Sequence, residues 1–375
     1  MKKFVKQKGS AMISALLMMS IVTVISVAMI SRQDIEIRRT ESVLAQERLL
    51  SQIAVVELWG IETLRAVAKQ LTPEADYITL EQQWTKPLPE FEQEGVWLSG
   101  QIFDLQALFN INDILVDLSV EEVTTETTTE NPATENQTQN PNASNTSANQ
   151  ANNETTTQEQ VKKNPFDEKT PFTIPNMFAR LLIDVAKLKK EDAIALSEVV
   201  WLWAMPESNE RDKVYLEANI PYRAAHQPFV SVSELRLVQG MNNDIYNALQ
   251  PYISAIPLSI EPTPTPSANM VIPVNVNTTE ASVIAAIANI NLNDAKSIMS
   301  ARPYFDTEAI QNQLAKIENS ELDTGGLMKM FSVTSNYFLV RAYARDEKRQ
   351  IVQYSILHRG AEGKVQVLRR VQGEM

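Results

Sequence analysis

The chain has 375 residues, with 34 Lys and Arg against 46 Asp and Glu, and no Cys. Absence of cysteine excludes a disulfide framework, thiol catalysis and thiolate zinc sites, and a net charge of −12 argues against a nucleic-acid-binding surface. With 10 Gly and 2 His (His226 and His358), there is little material for phosphate-cradling loops or imidazole chemistry.

Four lysines (Lys2, Lys3, Lys6 and Lys8) precede Gly9, and the next 22 residues, Ser10 to Ser31, carry no charge. That is the length a helix needs to cross a hydrocarbon core of about 30 Å. A cleaved secretory signal and a retained anchor compete for this segment. A signal's apolar core is usually about 7–15 residues and ends at a small-residue site, whereas here the small pair Gly9–Ser10 lies before the run, which favours an anchor. The lysines place the amino terminus in the cytoplasm and the rest of the chain on the exported side. From Arg32 to Gln70 the apolar residues Ile35, Leu44, Leu49, Ile53, Val56, Trp59, Leu64 and Val67 recur at helical spacing, with no proline before Pro73. One helix from Ser10 to Leu71 would be roughly 90 Å long. Such a length suits a spine packed against neighbouring copies better than a simple anchor.

Residues 96–112 (VWLSGQIFDLQALFNIN) read as strand, turn and strand. Residues 121–160 hold seven Glu, no Lys or Arg and no aromatic, a composition that cannot offset its ordering entropy and predicts a disordered linker over 121–163. From 165 to about 320 the apolar spacing is helical, notably in NMFARLLIDVAKL and KKEDAIALSEVVWLW. Asn277, with Glu280 three residues on, reads as the N-cap of a helix over 281–290. Three alternating segments between 331 and 371 then predict a β-meander. The fold class expected is α+β: an antiparallel sheet domain interrupted by a large all-α insertion. The expected units are 1–9 leader, 10–31 transmembrane helix, 32–71 continuation of the helix, 72–120 first part of the sheet domain, 121–163 linker, 164–322 helical insertion and 323–375 C-terminal strands.

Lys-x-Lys-Gly before an apolar run resembles the class III leader of type IV pilins and pseudopilins. The resemblance implies cleavage by a prepilin peptidase between Gly9 and Ser10, N-methylation of Ser10, and a helix retained in the inner membrane. Three further stretches resemble the general secretion pathway K family, the K-type minor pseudopilins of type II secretion. They are FDLQALFNIND, with Asp104, Phe109, Asn110 and Asn112; the SVSEL segment, with Ser233, Glu234 and Leu235; and VNVNTTE, with Asn275, Asn277 and Thr278. The family implies a pilin-like sheet, a helix-hairpin-helix or SAM-like insertion, partners among the I- and J-type minor pseudopilins and the major pseudopilin, and a non-enzymatic role at the pseudopilus tip. Ser14 stands where most such chains have the glutamate thought to pair with a neighbour's terminal amine. A tip subunit has no such neighbour, and an unpaired carboxylate in a bilayer is costly. A minor pilin of a related type IV pilus-like machine is the alternative, followed by a membrane-anchored helix-hairpin-helix DNA-binding protein.

The family's helical domain is associated with calcium, but Val200 and Trp203 stand where carboxylates are expected. No cofactor is required by the sequence; Glu207, Glu210 and Asp212 are the calcium candidates, with solvated loop acids as the plainer reading. Residues 271–314 resemble a helix-hairpin-helix, which elsewhere grips DNA. Asn289, Ile290 and Asn291 replace the hairpin glycines, and two cations (Lys296, Arg302) face four acids (Glu280, Asp294, Asp306, Glu308), so a structural hairpin is expected. His226 and His358 lack a neighbouring nucleophile or metal spacing, and Trp201 and Trp203 read as core. Phe109 and Asn110 read as closing a turn and filling a core.

Overall fold

The computed structural model describes residues 10–71, 76–116, 118, 172–206, 212–257, 271–317, 324–360 and 363–373. The leader (1–9), the linker (121–163) and two calcium candidates, Glu207 and Glu210, lie outside these residues.

α1 runs unbroken over Ser10–Gln70, 61 residues without a proline. Its first half exposes apolar side chains all round, from Met12 through Ile30, and includes a segment long and apolar enough to cross a membrane. From Leu49 the pattern narrows to one stripe: Leu49, Ile53, Val56, Gly60, Leu64 and Val67 are each buried, at spacings of three and four that put them on one face. Burying each such side chain contributes about 1.5–3 kcal/mol.

That stripe lies on a five-stranded antiparallel sheet formed by β1 (Leu88–Gln93), β2 (Val96–Asp104), β7 (Tyr337–Arg345), β8 (Gln350–Arg359) and β9 (Val365–Gln372), in that order across the sheet. The three C-terminal strands are the expected meander. Alternation in β2 turns Val96, Leu98 and Ile102 toward the helix, and β7 does the same with Phe338, Val340, Ala342 and Ala344. Leu49, Ile53 and Val56 pack with Val96, Leu98 and Ala344, whereas Leu64 and Val67 pack with Ile102, Phe338 and Leu357. The helix therefore ascends from the β2 start toward its end, away from the apolar N-terminal half.

Glycine sets the depth of this packing. A Cβ on Gly60 would stand 2.5 Å from Val340 Cγ2, and one on Gly100 would stand 2.4 Å from Val56 Cγ1. Within the same interface Glu57 is buried, and its carboxylate accepts both arms of Arg370 at 2.8 Å, Ser355 Oγ at 2.6 Å and Gln353 Nε2 at 3.2 Å.

The chain leaves the sheet at Asp104. β3 (Phe109–Asn110) follows, then a 3-10 turn Ile111–Leu115, α2 (Ile174–Ala186), α3 (Lys190–Ala204), α4 (Lys213–Leu216), α5 (Asn243–Leu249), β4 (Ile253–Ser254), β5 (Val274–Asn275), α6 (Ala281–Ala288), α7 (Leu292–Ser300), α8 (Thr307–Leu314), α9 (Thr324–Met328) and β6 (Phe331–Ser332). β3 pairs in parallel with β4, and β5 with β6, two residues each. Phe109, Ile111, Ile114 and Val116 belong to the helical core with Phe178, Val200, Trp203 and Ile284. This divides the expected 72–120 unit beyond Asp104: Leu105 still packs with Ile356 of the sheet, together with Ile256 and Ile272, whereas Phe109, Ile111, Ile114 and Val116 bury their side chains among the helices. α6 is buried on every side, its alanines allowing close approach of α2. Arg180 of α2 donates Nε to Ala286 O at 2.7 Å and Nη2 to Ile287 O at 3.5 Å, a cation on the carbonyl end of α6.

Gly100→Ala should destabilise the folded protein by about 1–3 kcal/mol through overpacking. Denaturant unfolding of the single variant and of the Gly100→Ala/Val56→Ala pair checks this. The pair is expected to regain part of the loss, and additive losses would refute the contact.

Candidate functional site: a buried polar junction between sheet and insertion

Asp104, the last residue of β2, is buried, and its carboxylate accepts Gln106 N–H at 2.8 Å, Thr278 Oγ1 at 2.6 Å and Ser335 Oγ at 2.6 Å. One side chain thereby ties three chain passages together at the mouth of the insertion. Asn275 extends the network: Nδ2 donates to Ser335 Oγ (2.8 Å) and to Ile78 O (3.1 Å), and Oδ1 accepts Asn277 N–H (2.9 Å). Gln106 donates to Pro273 O at 2.8 Å and accepts Asn336 N–H at 2.6 Å, bracing the start of β7.

A second tier lies deeper in the insertion. Asn112 is fully buried; it accepts Phe229 N–H at 2.6 Å and donates to Phe229 O (3.0 Å) and Ile256 O (2.9 Å). Asn110 accepts Ile256 N–H at 2.9 Å and donates to Asp113 Oδ1 at 2.9 Å, which also accepts Ile272 N–H at 3.3 Å. Phe109 lies between the tiers, fully buried against Phe178 at 5.9 Å between ring centroids. Asp104, Phe109, Asn110, Asn112, Asn275, Asn277 and Thr278, scattered in sequence, are thus one junction. Gln106, Asp113 and Ser335 complete it. The first two stood within the quoted FDLQALFNIND stretch, but Ser335 had no local signal.

Asn277 departs from its expected role. α6 begins at Ala281, the residue at its N-cap is Glu280, and no side-chain cap bond is made there. Asn277 is buried and accepts Tyr304 N–H (2.7 Å) while donating to Tyr304 O (2.8 Å), so a tertiary strand of chain claims the groups a cap would have used.

Ser233, Glu234 and Leu235 lie apart from the junction, in the 3-10 turn Val232–Leu237. Glu234 Oε1 accepts Val230 N–H (2.8 Å) and Ser231 N–H (3.0 Å), Ser231 Oγ accepts Ser233 N–H (3.2 Å), and Leu235 anchors the turn in the core. This is a capping box. Ser14 lies exposed on the apolar half of α1. In the hairpin between α6 and α7, Asn289 takes a left-handed φ of 54° and Asn291 Oδ1 accepts the N–H groups of Asn293 and Asp294 at 3.0 Å each. Those amides are the ones a phosphate would need. Trp203 is buried against Tyr215, Trp201 half-buried on the same core. Asp212, the described calcium candidate, faces His226; among the described residues no three His, Asp or Glu converge.

Buried acids on the two sides respond to pH in opposite senses. Burial pushes the Glu57 carboxyl up, but the Arg370 fork, Ser355 and Gln353 outweigh it and hold the group below the ordinary range. Burial drives Asp113 well above that range, with the Ile272 N–H and Asn110 amide pulling back. A lowered folded pKa gives stability present above the unfolded pKa and lost as pH falls through the folded one; a raised pKa gives stability fullest below the unfolded pKa and lost as pH rises toward the folded one.

Two outcomes follow from the junction. Asn112→Ala should lose about 3 kcal/mol, since three buried backbone partners are stranded, whereas Ser233→Ala on the capping turn should change stability by less than about 0.5 kcal/mol. Equal effects in denaturant unfolding would contradict the ranking. In stability–pH curves, Glu57→Gln should flatten the acid limb and Asp113→Asn the decline toward neutral pH; a shared direction for both would show the signs to be wrong.

A family model described as type II secretion system protein K matches residues 107–258, the stretch holding Asn110, Asn112 and Asp113 of the second tier and the first helices of the insertion. Proteins named type II secretion system protein K align along nearly the whole chain. That of Aeromonas hydrophila is 23% identical, covering 98% of each chain, and that of Pectobacterium carotovorum is 24% identical, covering 98% of this chain and 97% of its own. The Pseudomonas aeruginosa protein is 25% identical, covering 98% and 93%. Among solved structures, a chain of the GspK-GspI-GspJ complex from enterotoxigenic Escherichia coli matches with a TM-score of 0.63 at 20% identity, over 90% of this chain and 100% of that one. The chain is thus similar along nearly its whole length to proteins named type II secretion system protein K, and it shares the fold of the matched chain of the GspK-GspI-GspJ complex.

Proposed function

We propose that this chain is a minor pseudopilin that caps the tip of the periplasmic pseudopilus and helps initiate its assembly, in the export of folded proteins across the outer membrane. One observation carries the reading. α1 meets the sheet with its Leu49 end at the start of β2 and its Val67 end beside Ile102 and Phe338, and the insertion departs one step beyond, at Asp104. The helical block thus stands at the end of the sheet farthest from the apolar half of α1. A filament that grows lengthwise needs the same surfaces free above and below on every subunit, and this block occupies the upper one.

Ser14 supports the same role, since it offers no carboxylate to the amine of a following subunit. The relatives' complex, GspK with GspI and GspJ, makes the I- and J-type minor pseudopilins the natural partners, followed by the major pseudopilin. Lys2, Lys3, Lys6 and Lys8 hold the amino terminus in the cytoplasm, with prepilin peptidase cutting after Gly9, so the sheet and insertion lie in the periplasm. The role is non-enzymatic, resting on packed surfaces.

Overexpression beside normal amounts of the other pseudopilins should shorten filaments seen by electron microscopy, and mass analysis should find a mature chain beginning at N-methylated Ser10. Long filaments composed mainly of this chain would remove the tip assignment, and a chain beginning at Met1 beside active peptidase would remove the pseudopilin processing.

A further inference from the structure

α1 covers the face of the sheet that carries Val96, Leu98, Val340 and Ala342, so the alternating residues point to the opposite side. At the end near Asp104 the insertion covers part of this outer face, where Leu105, Ile256 and Ile272 pack on Ile356. Away from that end, Trp97, Tyr343 and Tyr354 keep part of their surface exposed.

Arg341 lies in the middle of the outer face, opposite Gln101 of β2 and Tyr354 of β8. Its guanidinium carbon is 4.8 Å from the centre of the Phe103 ring and 5.5 Å from that of Tyr343, within the range at which a cation is attracted to an aromatic face. Among the described residues its one hydrogen bond is long, from Nη2 to Gln101 Oε1 at 3.5 Å, and its buried Nε has no partner. The other arginines of β7, β8 and β9 have strong acceptors. Arg345 pairs with Glu90, Arg359 with Asp76 and Arg370 with Glu57, while Arg369 donates to Val230 O.

Residues 337–373 hold eight Lys and Arg against three Asp and Glu, within a chain of net charge −12. These strands are thus a basic surface on an acidic protein. An arginine held among aromatic rings is the composition that concentrates binding energy at protein interfaces, and its planar fork matches a carboxylate. A second copy of this chain would set one basic face against another, and like charges disfavour that pairing. A single preorganised cation reads one carboxylate geometry, which suits a constant partner better than a varied set of exported proteins.

We propose that this outer face docks a constant component of the export machine through an acidic patch, with one Asp or Glu received by Arg341 beside Phe103 and Tyr343. The placement rests on the pseudopilin reading: neighbouring spines lie against α1, so the partner on the opposite face stands outside the pseudopilus.

In cells with the complete machine, Trp97→p-benzoylphenylalanine puts a photocrosslinker on this face outside the Arg341 cradle. Irradiation should join the chain to one non-pseudopilin component, and mass analysis should find an Asp or Glu in the crosslinked peptide. Arg341→Glu should weaken that adduct by roughly tenfold or more and lower the export of every cargo alike. Changing the contacted acid to Lys should restore both in the Arg341→Glu background. If Arg341→Glu fails to fold, Arg341→Gln serves the same comparison, as it removes the charge without reversing it. An adduct unchanged by the substitution, no adduct, or an adduct to another pseudopilin, to a cargo or to residues 119–171 of this chain would overturn the inference. Failure of the wild-type chain to co-purify with I- and J-type subunits would count instead against the pseudopilin reading.

Discussion

The structure depends on how closely a very long helix approaches a sheet. Two glycines, one on each partner, remove the Cβ atoms that would otherwise collide with Val340 and Val56. Side-chain stems of the stripe from Leu49 to Val67 can then reach the floor of the sheet, where dispersion and burial act over the whole contact. The Glu57–Arg370 pair gives this apolar interface its registry. A buried carboxylate with four donors tolerates one position only, and a helix shifted by a residue would leave the charge stranded. The rest follows from this fixed angle: β2 ends where the helix ends, and the insertion begins beyond it.

The insertion meets the sheet through polar groups and through one small apolar cluster, in which Leu105, Ile256 and Ile272 pack with Ile356 of β8. The sheet-side cores contain α1 and strand residues, while the large helical core begins at Phe109. Between them Asp104, Gln106, Asn275 and Ser335 form a network with partners on separate passages of the chain. Fully satisfied buried networks fix a unique geometry, because every alternative alignment leaves some group unpaired. Oil-like contacts would bind the two bodies without deciding their orientation. The network therefore contributes a defined orientation of the two parts more than added affinity between them.

The hairpin between α6 and α7 spends its polar groups internally. The backbone amides at the start of α7 are taken by Asn291 Oδ1, and Asp294 accepts from Asn291 Nδ2 at 2.6 Å. An anion would have to displace a carboxylate from the helix start. What remains is a compact joint, with buried Arg180 on the adjoining helix end, its pKa lowered by burial to about 10 but still a cation at neutral pH.

The sequence alone determined the long helix, the meander and the helical character of residues 174–204. Each rests on local periodicity: an absence of proline, apolar spacings of three and four, and alternation by twos. It also marked Asp104, Asn110, Asn112, Asn275 and Thr278 as belonging to recognisable stretches. Only the tertiary structure decided what they do. Asn112 meets Phe229 and Ile256, Asp104 meets Ser335, and β3 meets β4 across more than a hundred residues of chain. Asn277 carried the sequence signature of a helix cap, but its side chain is taken by the backbone of Tyr304 and Val333. Local spacing encodes which face of an element is apolar. It holds no information on which distant backbone group will satisfy a buried amide, because that partner is chosen by how the finished layers stack.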